Sequence, residues 1–184
     1  MLPQTWHRAL FCLLVLMWGG PNPALWSSPS QAVPIADRFV GAWHLLSIET
    51  VRANGDVIYP FYGKHPEGLL VYDRSGWMSV QIVSDPKPMV PHESSRESFL
   101  AAPVNEKVIA INGYYAYYGT WTVDTSKSTI THHIQQSLYP GERRESGERH
   151  FSLEGNRLIL VANAHEMGED HQRRLVWERA APSP

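Results

Sequence analysis

From Phe39 onward, apolar and polar residues alternate in short runs, each ending in turn-forming residues. A period of two is the signature of half-buried β-strands. FVGAWHLLSIETV passes through Ala53-Asn54-Gly55-Asp56 into VIYPF, and Asn-Gly favours a tight hairpin. GLLVYD and WMSVQIV flank Arg74-Ser75-Gly76, and TWTVD and TITHHIQQSLY are joined by TSKS. RHFSLEG and RLILVA meet at Gly155-Asn156, and RRLVWERA closes the series. Short strands at this spacing predict one all-β domain, an antiparallel sandwich or barrel.

Two segments break the alternation. SDPKPMVPHE carries Pro86, Pro88 and Pro91, which cannot donate to a central ladder, so the stretch is a loop: a lid over a barrel mouth or an ordinary surface excursion. Val104, Val108, Ile111 and Tyr115 then recur at a helical interval. They predict a short helix between Pro103 and Asn112, with Pro103 suited to its start and Gly113 to its end. SRESFLAA adds at most a further helical turn.

The first residues have a different character. Arg8 precedes an uncharged apolar run from Ala9 to Trp18, and a polar stretch follows, ending Ser30-Gln31-Ala32. That is the layout of a secretory signal, and the run falls short of the ~20 residues a spanning helix needs. The expected organisation is a cleaved signal over 1–32, a linker over 33–37, a folded domain over 38–180 and a loose tail over 181–184. The mature protein is expected to be secreted or periplasmic, with no membrane span. The single cysteine, Cys12, lies within the leader, so the domain must rely on its core rather than on disulfides, as a length of about 150 residues allows. A formal net charge of −2 gives no basic footprint for nucleic acid or an anionic membrane.

The adjacent histidines His132 and His133 carry the first chemical question. Successive side chains of a strand point to opposite faces, so the two imidazoles cannot readily share one ion. His132 shares its face with Ile130, Ile134 and Leu138, and His133 with Thr131, Gln135 and Ser137. His132 is therefore expected inside and His133 towards water.

Gly41-Ala42-Trp43 opens the first strand and Trp177-Glu178-Arg179 stands in the last. A Gly-x-Trp answered by a last-strand arginine resembles the lipocalin pattern. The ordered set EGLLVYDRSGWMSVQI, INGYYAYYGTWTVD, TITHHI and RHFSLEGNRLIL is similar to the bacterial and fungal lipocalin-like domain family, over roughly residues 38–180. The resemblance implies an antiparallel barrel of about eight strands with one short helix. In such a barrel Trp43 plugs the closed end, Arg179 lies over its indole as a cation–π partner, and Gly41 leaves room for a sharp turn.

With Trp43 inside, alternation places Leu45, Ser47, Glu49 and Val51 on the same face. Met78, Val80 and Ile82 form the apolar face of their strand, Arg149 goes with Phe151, and Arg173 with Leu175 and Trp177. The Tyr-rich strand turns inward either Tyr115, Tyr117, Trp121 and Val123 or Tyr114, Ala116 and Tyr118, and bulk favours the first set. Tyr115, Tyr117, His132, Arg149, Met78 and Phe151 are then the candidate ligand-binding residues. Apolar walls with few polar groups suit a small hydrophobic or amphipathic ligand, and no cofactor is expected. Arg149 is either an anchor for a ligand carboxylate or the ion-pair partner of Glu49. The alternative is a cofactor-independent isomerase, cyclase or hydratase with His132, Tyr117 and Glu49 transferring protons in the same cavity. A third possibility is an envelope protein whose barrel is filled by its own side chains. HEMGEDH has Glu169 where a helical zinc motif needs histidine, so no metal site is expected. P-loop, dinucleotide and nucleophile-elbow motifs are absent from the sequence.

Overall fold

The computed structural model describes residues 34–59, 61–91, 95–166 and 168–181. The expected signal segment and the last three tail residues lie outside them. Nine strands form one antiparallel sheet: β1 (Gly41–Arg52), β2 (Val57–Ile58), β3 (Glu67–Tyr72), β4 (Trp77–Val83), β5 (Tyr114–Asp124), β6 (Thr129–Ser137), β7 (Ser146–Glu154), β8 (Arg157–Glu166) and β9 (Glu169–Arg179). The sheet order is β2-β1-β3-β4-β5-β6-β7-β8-β9, and β1 also pairs with β9. That last pairing closes an eight-stranded barrel and leaves β2 as a two-residue flap hydrogen-bonded to β1. Closure removes the free edges that an open sheet of this size would expose. Residues 35–38, spanning the end of the expected linker and the first residue of the expected domain, form a 3-10 turn, and Ile35 packs against the core. No described helix is long and apolar enough to cross a membrane.

The end plug is built from the predicted residues. Trp43 is fully buried and its indole N–H donates to Phe39 O (2.8 Å). The Arg179 guanidinium lies 4.2 Å from the indole centroid. It also donates through Nη1 to Val40 O (2.9 Å) and through Nη2 to Arg38 O. Trp43 stands opposite Arg179 on β9 and Leu70 on β3, so the plug lies on the seam that closes the barrel. Gly41 has φ +130°, a conformation strained for any other residue, and a Cβ there would lie 2.9 Å from Arg179 Nη1, so a side chain would have to displace the guanidinium.

Two β-bulges change which residues face inward. On β1 the pairing runs Leu45↔Trp177 and then Ser47↔Val176, leaving Leu46 as the extra residue. Trp43 and Leu45 are buried before the bulge, but Ile48 and Thr50 are buried after it. The uninterrupted inner row Leu45-Ser47-Glu49-Val51 is therefore corrected: a one-residue insertion inverts alternation beyond it. On β6 the pairing moves from Gln136↔Tyr118 to Ile134↔Gly119, leaving Gln135 as the extra residue. Ser137, expected on the face of His133, is buried as a result.

Two short helices precede β5. They are α1 (Arg96–Ala101), capped by the Ser95 hydroxyl on Ser98 N–H (3.0 Å), and α2 (Val104–Asn112), which begins after Pro103 and ends at Gly113. The apolar spacing forecasts α2 correctly, but its apolar residues do not enter the core. Val104 is 75 % exposed and Val108, Ile109 and Ile111 are about half exposed, while Glu106 is the buried residue of this helix.

Candidate functional site

The barrel interior divides into a filled half and a small cavity. In the filled half, Phe39 meets Phe151 edge-on (4.9 Å between centroids), and Tyr72 packs on Trp121 (4.8 Å). Met78 is fully enclosed in the same core. Met78 and Phe151 thus serve as packing around the site rather than as cavity wall. Tyr115, Tyr117, Trp121 and Val123 turn inward, whereas Tyr114 and Tyr118 are exposed.

Beyond that packing lies a cavity of about 140 Å³. Ile48, Val80, Ile82 and Leu175 supply its apolar wall, and Tyr62, Tyr115, Tyr117, Arg149 and Arg173 supply its polar groups. Tyr115 stacks between Tyr62 (6.4 Å) and Tyr139 (5.4 Å). Its hydroxyl donates to Glu142 Oε2 (2.8 Å), which also accepts from the Ser137 hydroxyl (2.6 Å). Burial pushes the Tyr115 phenol far above its ordinary pKa, and the neighbouring Tyr117 and the Glu142 bond add to the effect. Burial, with Tyr139 next, does the same to Tyr62. These phenols stay protonated throughout the physiological range.

His132 stands directly behind Tyr117. Its Nδ1 is 2.8 Å from the Tyr117 hydroxyl and its Nε2 is 2.6 Å from the Tyr72 hydroxyl. All three side chains are buried, and of the three Tyr117 alone borders the cavity. His133, on the opposite face, bonds to Thr122 and Ser146 at the exterior (both 3.0 Å). Gly147 is the residue paired with His132 on β7. The missing side chain leaves room for Arg149 to fold back, donating from Nη1 to Gly147 O (2.7 Å). The Arg149 charge thereby faces both the cavity and the relay.

The choice left open for Arg149 and Glu49 resolves through register. Glu49 is opposite Arg174 on β9 and pairs with it (2.5 Å), while Ser47 Oγ donates to its other oxygen (2.8 Å). The bulge on β1 carries Glu49 to that side of the sheet, away from His132 and Tyr117. The structure therefore joins Tyr117 and His132 but does not bring Glu49 to them. Tyr72 is the member that the sequence reading passed over. A signal was present, since Tyr72 shares the inward face of its strand with the buried Leu70. Tyr62 and Glu142 carried no such signal, because both sit outside the strands.

Burial, then the charges of Arg149 and His133, hold His132 well below its ordinary pKa. An unfolded histidine takes up a proton near pH ~6.5, whereas folded His132 resists it. As pH falls below that value the unfolded state binds the extra proton, so stability is lost, at up to about 1.4 kcal/mol per pH unit, until the folded pKa is reached. Urea titrations at about pH 7 and about pH 5 should show a shallower decline for His132→Gln than for wild type. Parallel declines would remove His132 from the acid sensitivity.

A family profile described as a lipocalin-like domain matches residues 40–180, the same span as the closed barrel. The chain belongs to the lipocalin-like domain family. It is also similar to the 4'-hydroxy-3'-methoxypropiophenone carrier protein of Aspergillus oryzae. The two are 26% identical over 111 residues, covering 55% of this chain and 96% of that protein.

Proposed function

We propose that this lipocalin-like barrel binds and carries a small amphipathic molecule of about one aromatic ring. The observation that carries the reading is the cavity: apolar on one side, with phenols and two guanidinium groups on the other. Its volume of about 140 Å³ is close to that of an engineered apolar cavity of about 150 Å³ that accepts benzene. Such a space suits a substituted ring. The similarity to a carrier of an aryl ketone supports the same ligand scale. Proton-transfer chemistry finds less support, because Glu49 is engaged with Arg174 and both nitrogens of His132 are engaged with tyrosines. The leader pattern around Arg8 and the following apolar run supports carriage outside the cytoplasm.

Isothermal titration with 4'-hydroxy-3'-methoxypropiophenone should show saturable one-to-one binding. Leu175→Trp, which fills the cavity, should weaken it more than tenfold while leaving the circular dichroism spectrum unchanged. Absence of saturable binding by this ketone and by a panel of other single-ring amphiphiles would sink the carrier reading. Intact residues 1–32 on the protein recovered from its source would sink the export part alone.

A further inference from the structure

Two inward tyrosines of β5, Tyr115 and Tyr117, stand two residues apart with opposite hydrogen-bonding constraints. The Tyr115 hydroxyl hydrogen is consumed by Glu142 (2.8 Å). The fate of the Tyr117 hydrogen is decided through His132 by Tyr72.

Tyr72 is fully enclosed, and its hydroxyl meets His132 Nε2 at 2.6 Å. A neutral imidazole has one protonated nitrogen and one lone pair. In one arrangement Tyr72 donates to Nε2, Nδ1–H donates to the Tyr117 oxygen, and the Tyr117 hydrogen must point elsewhere. In the other, Tyr117 donates to Nδ1 and Nε2–H donates to Tyr72, which strands the Tyr72 hydrogen in a closed core. Leaving a buried donor unmade costs its full desolvation penalty, whereas Tyr117 borders the cavity and can direct its hydrogen there. The first arrangement therefore prevails.

We propose that the Tyr72–His132–Tyr117 relay fixes Tyr117 as a hydrogen-bond donor into the cavity, so that the site selects ring-sized ligands bearing an acceptor oxygen. Arg149, which shares the cavity wall with Tyr117, adds a positive charge that favours a polarised carbonyl or an oxyanion at the same end. Tyr117 is the residue that contacts the ligand, and Tyr72 and His132 are positioning residues. The proposal rests on the carrier reading and deepens it by naming the ligand group.

The test has one arm without ligand and one with it. In protein labelled with 15N-histidine, the shifts of His132 should show Nδ1 protonated and Nε2 bare. The reverse pattern would overturn the proposal outright. In the second arm, propiophenone and propylbenzene, the same skeleton without the oxygen, are titrated separately. Wild type should prefer the ketone at least tenfold, and Tyr117→Phe should cut that preference severalfold, leaving the part that Arg149 supplies; an unchanged preference in Tyr117→Phe would overturn the proposal. Tyr72→Phe touches no ligand, yet it should mix the two His132 tautomers and erode the preference. An unchanged tautomer and preference in Tyr72→Phe would overturn the relay. Equal binding of both probes by wild type would defeat this inference while leaving the carrier reading intact. Binding of neither probe, with the broader panel also failing, would remove both.

Discussion

Replacing Trp43 with alanine is expected to destabilise the barrel by about 3–5 kcal/mol, the usual range for deleting a fully buried tryptophan. Several losses coincide at this position. The indole is completely enclosed and donates to Phe39 O (2.8 Å). It is also the surface on which the Arg179 guanidinium rests (4.2 Å). Without the ring, Arg179 keeps its bonds to the Val40 and Arg38 carbonyls but faces a void. Because β1 pairs with both β3 and β9 at Trp43, the void opens on the closing seam, where collapse would have to distort two ladders at once. A domain of this length holds only about 5–15 kcal/mol of total stability, so the variant should unfold at markedly lower urea. A loss below about 1 kcal/mol would mean that the indole is not the plug.

The second large effect is expected at Gly119. A Cβ built there falls inside the van der Waals envelope of the His133 carbonyl oxygen and 3.0 Å from Gln135 N. Both neighbours are backbone of β6 at its bulge, and neither can swing aside as a side chain would. Gly119→Ala should therefore cost about 1–3 kcal/mol, the range for overpacking, or more if the bulge is expelled. Expulsion would also shift the register beyond Ile134, turning Ser137 away from Glu142 and loosening the Tyr115 anchor. Gly141→Ala is the matched control, since a Cβ there meets nothing within 4 Å, and its effect should stay within about 0.5 kcal/mol. Equal urea midpoints for the two variants would show that the close approach at Gly119 is not a constraint.

Trp43 and Gly119 both hold the ladders around the cavity in register. Tyr115, Tyr117 and Arg149, which border the cavity, come from β5 and β7, joined through β6, and the register of those ladders sets their spacing. The gap opposite His132, created by Gly147, is what lets Arg149 lie over the relay. A cavity-facing charge is thus placed by a missing side chain two residues away on the same strand.

Much of the architecture was legible in the chain alone. Alternation and turn residues located the strands and their hairpins, Pro103 and Gly113 bounded α2, and the Gly-x-Trp and last-strand Arg forecast the plug. These are local properties, written in periods of two and in residues with restricted backbones. Alternation also separates His132 from His133, because nothing interrupts β6 between them. What lay beyond reach was the phase after each bulge. One extra residue at Leu46 moved Glu49 across the sheet to Arg174, and one at Gln135 carried Ser137 inward. A bulge is a mismatch between two strands, fixed by how a closed sheet curls, and neither strand encodes it by itself. The helix shows the opposite limit, since the spacing of Val104, Val108 and Ile111 sufficed to form it but not to bury it. The meeting of Tyr72 with His132, 60 positions apart, and the size of the space beside Tyr117 were likewise settled by closure of the barrel. Sequence determined which groups were available and which way most of them pointed. Only the closed sheet decided which of them touch, because contact across a barrel depends on register summed around its whole circumference.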